Sequence, residues 1–243
     1  MRLLPVASEG VQGSRYPGPS KISGQKAGIV LSYFVKEIFY TLQGEGFHSG
    51  RPAVLCRFGG CNLWSGRDQD RGKAICKFCD TDFVGTDGPG GGRFETALEL
   101  AKKVASLWPG KGTKPARPFV VCTGGEPLLQ LDLELVEALH REGFEVAVET
   151  NGTCLPPAGI DWVCVSPKAD TELVLHSGQE LKLIFPQAGA EPERFEALDF
   201  QHFFLQPMDG PDRERNTQWV VNYCLEHPRW RLSLQTHKLL GIK

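Results

Sequence analysis

The sequence predicts an α/β protein built as a partial, TIM-like barrel of about six parallel strands, with some crossover helices reduced to loops. Three observations predict it. Short, continuously apolar runs recur along the chain, as in strands covered on both faces. Helical stretches alternate with the earlier runs. Finally, the gaps at 151–161, which holds Pro156 and Pro157, and at 167–179 are too short for full crossover helices.

Taken in order, residues 1–32 are rich in Gly, Ser and Pro without sustained periodicity and read as a flexible leader or remnant outside the fold, which occupies 33–243. The strands are 53–58 (AVLCRF), 119–123 (FVVCT), 145–150 (EVAVET), 162–166 (WVCVS), 180–185 (ELKLIF) and 203–207 (FFLQP), with a weaker run at 231–235. A helix at 94–108 places Ala97, Leu98, Ala101, Val104, Ala105 and Trp108 on one face; further helices are expected at 131–142 and 212–226. "GPGGGR" at 88–93 reads as the loop before the first helix. In barrels of this kind the chemistry gathers at the C-terminal ends of the strands.

Composition bounds the function. With 27 Lys and Arg against 29 Asp and Glu, a formal charge of -2, the 243-residue chain gives no electrostatic case for nucleic acid or a membrane surface as partner. No apolar run approaches the roughly 18 residues of a membrane span, and no secretory signal opens the chain. A small-molecule enzyme of the cytoplasm is the expectation, and in that compartment clustered cysteines serve metals or redox chemistry.

Four cysteines stand close together. Cys56, Cys61, Cys76 and Cys79 spell C-x4-C-x14-C-x2-C. All four would close a structural zinc site, whereas Cys61, Cys76 and Cys79 alone would leave one metal position open. Cys56 sits inside an apolar strand, as buried inert thiols do, and the other three sit in a polar loop. Spacing alone leaves zinc and an iron–sulfur cluster level.

The flanking residues separate them. "GCNLW" followed by "CKFCDT" resembles the cluster loop of the radical S-adenosylmethionine (SAM) superfamily, with its usual C-x3-C-x2-C stretched by an insertion. More narrowly, "EIFYTLQGEGFHSGRPAVLCRFGGCNLW", "CKFCDTDF", "TGGEP", "ETNG", "SPK" and "QTHKLLGI", in that order from about residue 35 to the end, resemble the 7-carboxy-7-deazaguanine synthases. The resemblance implies that Cys61, Cys76 and Cys79 hold three irons of a [4Fe-4S] cluster, and that SAM chelates the fourth. Reductive cleavage of SAM would then give a 5'-deoxyadenosyl radical.

The same resemblance assigns further roles. Phe78, Thr123, Gly124, Gly125, Ser166, Lys168 and Gln206 would contact SAM, and the Glu126 carboxylate would receive its ammonium group. The substrate would be 6-carboxy-5,6,7,8-tetrahydropterin, whose pyrimidine edge is a row of N–H donors suited to the carboxylates of Glu45 and Glu149, with Leu42, Gln43 and Asn151 nearby. Arg57 would grip the substrate carboxylate, with His237 and Lys243 adding to that side. Thr81 would help to hold Mg²⁺, which favours oxygen ligands. Asp80 serves equally as a helix cap. The path implied is hydrogen abstraction at C6, Mg²⁺-assisted ring contraction and loss of ammonia, with SAM regenerated. A flavodoxin-like or ferredoxin-like electron donor and a homodimer are implied as partners. Two other readings remain: a glycyl-radical activating enzyme, and a zinc-stabilised binding protein using Cys56 as well.

Overall fold

The computed structural model describes residues 32–110 and 117–243, so the expected leader lies outside the described residues except for Ser32. The strands are β1 (Tyr33–Leu42), β2 (Pro52–Phe58), β3 (Gly92–Phe94), β4 (Phe119–Gly124), β5 (Glu145–Thr150), β6 (Trp162–Val165), β7 (Ser177–Phe185), β8 (Asp199–Pro207) and β9 (Trp230–Leu232). The helices are α1 (Ala97–Leu107), α2 (Leu133–Arg141), α3 (Arg213–Glu226) and the five-residue α4 (Thr236–Leu240).

All nine strands form one open sheet in the order β3-β1-β2-β4-β5-β6-β7-β8-β9. From β2 to β9 every pairing is parallel, so the expected six strands are joined by a short seventh, β9. β1 and β3 extend one edge in antiparallel pairing. Sequence periodicity missed β1 because its ten residues, YFVKEIFYTL, combine burial on one face with Lys36 and Glu37 in mid-strand, where a register irregularity falls.

Helices cover the sheet where the sequence leaves room for them. α1 starts at Thr96, whose hydroxyl accepts from Glu99 N, and α2 at Asp132, whose carboxylate accepts from Leu135 N. α1 buries Ala97, Leu100, Ala101 and Val104, whereas Leu98 is about half exposed, so the apolar face is turned from the expected one toward Leu100. These side chains meet Val54, Cys56, Phe58, Val120, Cys122, Val146 and Val148 from the sheet. Each fully buried Leu or Phe here contributes about 1.5–3 kcal/mol. The links β5–β6 and β6–β7 carry no helix, as their lengths predict, and β7–β8 holds only a 3₁₀ turn at Pro192–Arg194.

Because side chains alternate along a strand, the opposite face of the sheet carries Ala53, Phe119, Val121 and Ala147 near the strand starts. Farther along the same face come Arg57 and Thr123, paired in register, then Glu149, Cys164 and Glu180 in one row, and Lys182 beyond Glu180. The loop after β1 folds onto the lower part of this face. There Phe47 stacks on His202 at 4.3 Å between ring centres, and His48 meets Trp162 at 4.3 Å. Gly46 makes the turn possible: its φ is 65°, and a Cβ there would stand 1.9 Å from Glu180 Oε1. The apolar layer and this aromatic plug close the bottom of the concave face and leave its upper, polar part open. Among the described residues no helix is long and apolar enough to cross a membrane.

Candidate active site

A cavity of about 350 Å³ opens at the C-terminal ends of the parallel strands. It is within the size range of small-molecule sites. One wall is the loop from Gly59 to Phe83, which bears Cys61, Cys76 and Cys79. The fourteen residues between the first two cysteines are folded. Trp64 Nε1 donates to Arg67 O (3.2 Å), Ser65 Oγ donates to Asp70 Oδ2 (2.7 Å), and Ile75 N donates to Leu63 O (3.1 Å). A 3₁₀ turn, Asp68–Lys73, brings the Arg71 guanidinium over the Trp64 ring, from which Nη1 donates to the carbonyls of Lys77 (3.0 Å) and Cys79 (3.1 Å). Trp64 packs edge-on against Phe83 beneath.

Cys76 and Cys79 act on each other's ionisation: the Cys76 neighbour pulls the Cys79 thiol down to about 6, while Cys79 and burial push Cys76 up. Cys56 is elsewhere. It lies in the core on the helix-covered face, in register with Cys122, and does not border the cavity. Three thiols bordering a larger volume, with the fourth excluded by the strand, fit a cluster with one iron free of protein ligands.

The Gly124-Gly125 step fits β4 against that loop. A Cβ on Gly125 would stand 2.0 Å from Gly60 O and 2.9 Å from Cys61 Cβ. Glu126 N then donates to Gly60 O at 2.9 Å. Glu126 sits apart from the other residues expected at SAM. It does not border the cavity; it is fully buried, and its carboxylate accepts from Leu128 N (3.0 Å), Thr150 Oγ1 (2.8 Å) and Asn151 N (2.8 Å). Held by these three donors, it ties the end of β4 to the end of β5, and Oε2 keeps room for one more donor. Burial raises its pKa, with those donors opposing.

The other expected residues, Leu42, Gln43, Glu45, Arg57, Phe78, Thr81, Thr123, Gly124, Gly125, Glu149, Asn151, Ser166, Lys168, Gln206, His237 and Lys243, all border the one cavity. Lys168 bends back on Ser166, donating to its carbonyl (2.5 Å) and hydroxyl (2.7 Å). Burial lowers its pKa, and the nearby Cys76 and Cys79 oppose that. Arg57 donates through Nε to Glu37 Oε1 (3.0 Å), and Lys243 Nζ takes Glu37 Oε2 (3.0 Å). Thr81 lies beside Asp80, which receives Lys238 (2.5 Å) and Gln235 (3.1 Å); these donors hold its carboxyl low against the effect of burial. His237 lies flush on Gly44, where a Cβ would stand 2.1 Å from His237 Nδ1.

Sequence reasoning missed Lys182. Its Nζ lies 2.6 Å from Glu45 Oε2 and 2.8 Å from Glu149 Oε1, at the cavity floor. The signal was present: in ELKLIF, Glu180 and Lys182 are two apart, so they share the face opposite Leu181 and Leu183. Asp80, weighed from the sequence, also joins the wall, with Gln235 and Lys238, whose spacing in sequence offers no pattern.

A parallel sheet with three thiols and a strand-end glycine turn around one cavity defines a radical SAM protein. The family model of the radical SAM superfamily matches residues 69–180. The chain belongs to the 7-carboxy-7-deazaguanine synthases. It is 66% identical to the 7-carboxy-7-deazaguanine synthase of Caulobacter vibrioides over 87% of this chain and 100% of that one. It is 62% identical to the synthase of Bordetella pertussis over the same shares. Among solved structures it resembles QueE from Escherichia coli, with a TM-score of 0.63 and 26% identity over 84% of this chain and 93% of that one.

Proposed function

We propose that this enzyme converts 6-carboxy-5,6,7,8-tetrahydropterin to 7-carboxy-7-deazaguanine by radical chemistry. The observation that carries the reading is a single cavity with three thiols on one wall and two carboxylates, gripped by a lysine, on its floor. Cys61, Cys76 and Cys79 would hold the [4Fe-4S] cluster. Together with SAM, that cluster supplies a 5'-deoxyadenosyl radical able to take a hydrogen atom from C6 of the pterin.

This chain's residues bind, orient and shield. Glu45 and Glu149 accept from the N–H row of the pyrimidine edge, and Gln43, which donates to Glu149 Oε1 (3.3 Å), fixes that carboxylate. Thr123 Oγ1 donates to its other oxygen at 3.0 Å. At the opposite end, Arg57 and Lys243, now shared by Glu37, turn toward the substrate carboxylate, with His237 above Gly44 beside them. Phe78, Gly124, Gly125, Ser166, Lys168 and Gln206 hold SAM against the cysteine wall. Thr81 supplies an oxygen to Mg²⁺, leaving positions for water and substrate. Residues 33–243 act as one catalytic domain after a leader. The enzyme works in the cytoplasm as a homodimer, reduced by a flavodoxin-like or ferredoxin-like donor.

The test is anaerobic reconstitution followed by incubation with SAM, reductant and the carboxypterin. Brown protein with about four iron and four sulfide per chain and a new deazapurine product support the reading. Zinc in place of iron, or SAM cleavage with the pterin untouched, contradicts it.

A further inference from the structure

Lys182 is almost fully buried, yet it has no backbone partner and is held by two carboxylates brought from distant parts of the chain. Glu45 comes from the loop after β1 and Glu149 from β5, and both lie within hydrogen-bonding distance of one ammonium group. Each carboxylate has another donor besides: Gln235 to Glu45 Oε1 (2.9 Å), and Thr123 to Glu149 Oε2 (3.0 Å). We propose that Lys182 is the positioning residue for pterin recognition, holding Glu45 and Glu149 side by side as acceptor-only groups that select ligands with a contiguous row of N–H donors. The proposal rests on the pterin reading above and goes beyond it by naming what makes the carboxylate pair possible.

The physical reason is mutual repulsion. Two carboxylates within about 5.4 Å of each other through a shared ammonium do not both stay ionised in a water-poor site once the cation is gone; they share a proton instead. A protonated carboxyl presents a donor, which faces the N–H row of the ligand with the wrong polarity. Other charged and titratable groups face this ammonium: Glu180 on its own strand, Cys164 on β6, Arg57 on β2 acting on Glu149, and Lys168 across the cavity. Glu180 lies at the back. Its Oε2 accepts from Trp162 Nε1 (3.2 Å) and Phe47 N (3.4 Å), while Oε1 is buried without a hydrogen-bond partner in the structure. It anchors the turn at Gly46 and so the loop that carries Glu45. Burial would lower the Lys182 pKa, but Glu149 and then Glu45 outweigh it and hold the group well above its ordinary value.

Two readouts test this on the reconstituted holoenzyme, comparing wild type with Lys182→Met, which keeps a chain of similar volume. In the absence of pterin, carbon-13 NMR of the glutamate carboxyls follows proton uptake. With SAM present, calorimetry follows binding of 6-carboxypterin, an oxidised analogue that keeps the pyrimidine edge. Wild type should take up no proton on these carboxyls across the neutral range and bind at constant affinity. Lys182→Met should bind one new proton near neutrality, and its affinity should fall about tenfold per pH unit below that point. In the double variant Lys182→Met/Glu149→Gln both effects should vanish, leaving weak, pH-independent binding.

Unchanged binding would make Lys182 a space filler, and uniform weakening at every pH without new proton uptake would mean that its charge does not keep the pair ionised; either overturns the proposal. New uptake in Lys182→Met, in a protein whose wild type fails to bind the pterin, upholds the ionic grip and overturns the choice of ligand. Should Lys182→Met not fold, the double variant decides: restored folding without proton uptake upholds the grip, and continued failure overturns it.

Discussion

At the scale of single residues, Cys56 and Cys61 are five positions apart and have different surroundings. Cys56 is packed among apolar side chains in β2, where burial holds its thiol far above the ordinary range, whereas Cys61 borders the cavity. Cys61→Ala, Cys76→Ala and Cys79→Ala should each lose the brown chromophore and SAM cleavage. Cys56→Ser should keep both, losing about 1–3 kcal/mol of stability for a buried hydroxyl without a ready partner. Iron analysis of the four variants decides, and loss of iron in Cys56→Ser equal to that of the others would overturn the three-cysteine ligand assignment. Residue types and order made most of the wall legible in the sequence. The bonds that Glu126 accepts from Leu128, Thr150 and Asn151 were not legible, since those contacts exist only after folding.

At the scale of elements, the expanded cysteine loop shows how an insertion is accommodated. Its 3₁₀ turn gives Arg71 a position from which one guanidinium nitrogen holds two carbonyls of the Cys76–Cys79 turn while the group covers Trp64. Arg71→Gln should therefore loosen the turn by about 1–2 kcal/mol, since the bonds are charge-assisted and partly exposed. The measurement is the rate of iron loss to a chelator, expected to rise about tenfold; an unchanged rate would mean that the cysteines hold the turn without help. The parallel strands and the missing helices were legible because apolar runs and connection lengths are local properties. β1 was not, since its partners β2 and β3 are fixed by pairing. Lys182 was hidden for a related reason: a lysine in an apolar run reads as an edge or surface position until two acidic partners are placed opposite it.

At the scale of the whole molecule, charge joins segments far apart in sequence around the site. Lys243 at the C-terminus reaches Glu37 in β1, and Lys238 joins Asp80 in the cysteine loop to Asp209 after β8. Arg51 and Glu145 pair at the opposite end of the sheet. These partners hold the carboxyls of Glu37, Asp80 and Glu145 below their ordinary values, and Lys182 does the same for Glu149. Groups with a depressed folded pKa bind fewer protons in the native state, so their contribution is complete above the unfolded values of about 3.9–4.3 and is lost as pH falls through the folded ones. Burial depresses His48 and His202 as well, and their contribution falls away below about pH 6.5. Between neutrality and about pH 5 these histidines are opposed by Glu126 and Glu180, whose carboxyls burial raises. Urea midpoints should thus fall steeply only below about pH 4.5, and a midpoint that holds or rises there would contradict this distribution of charge.

The central claim is that the thiol wall and the carboxylate floor serve one reaction in one cavity. Anaerobic turnover of carboxytetrahydropterin deuterated at C6, with SAM and reductant, tests it most directly. Deuterium is expected in the recovered SAM together with 7-carboxy-7-deazaguanine, since under the proposed path the abstracted atom would pass from the pterin to the deoxyadenosyl group before SAM is regenerated. Accumulation of unlabelled 5'-deoxyadenosine with the deuterated pterin recovered intact would contradict it.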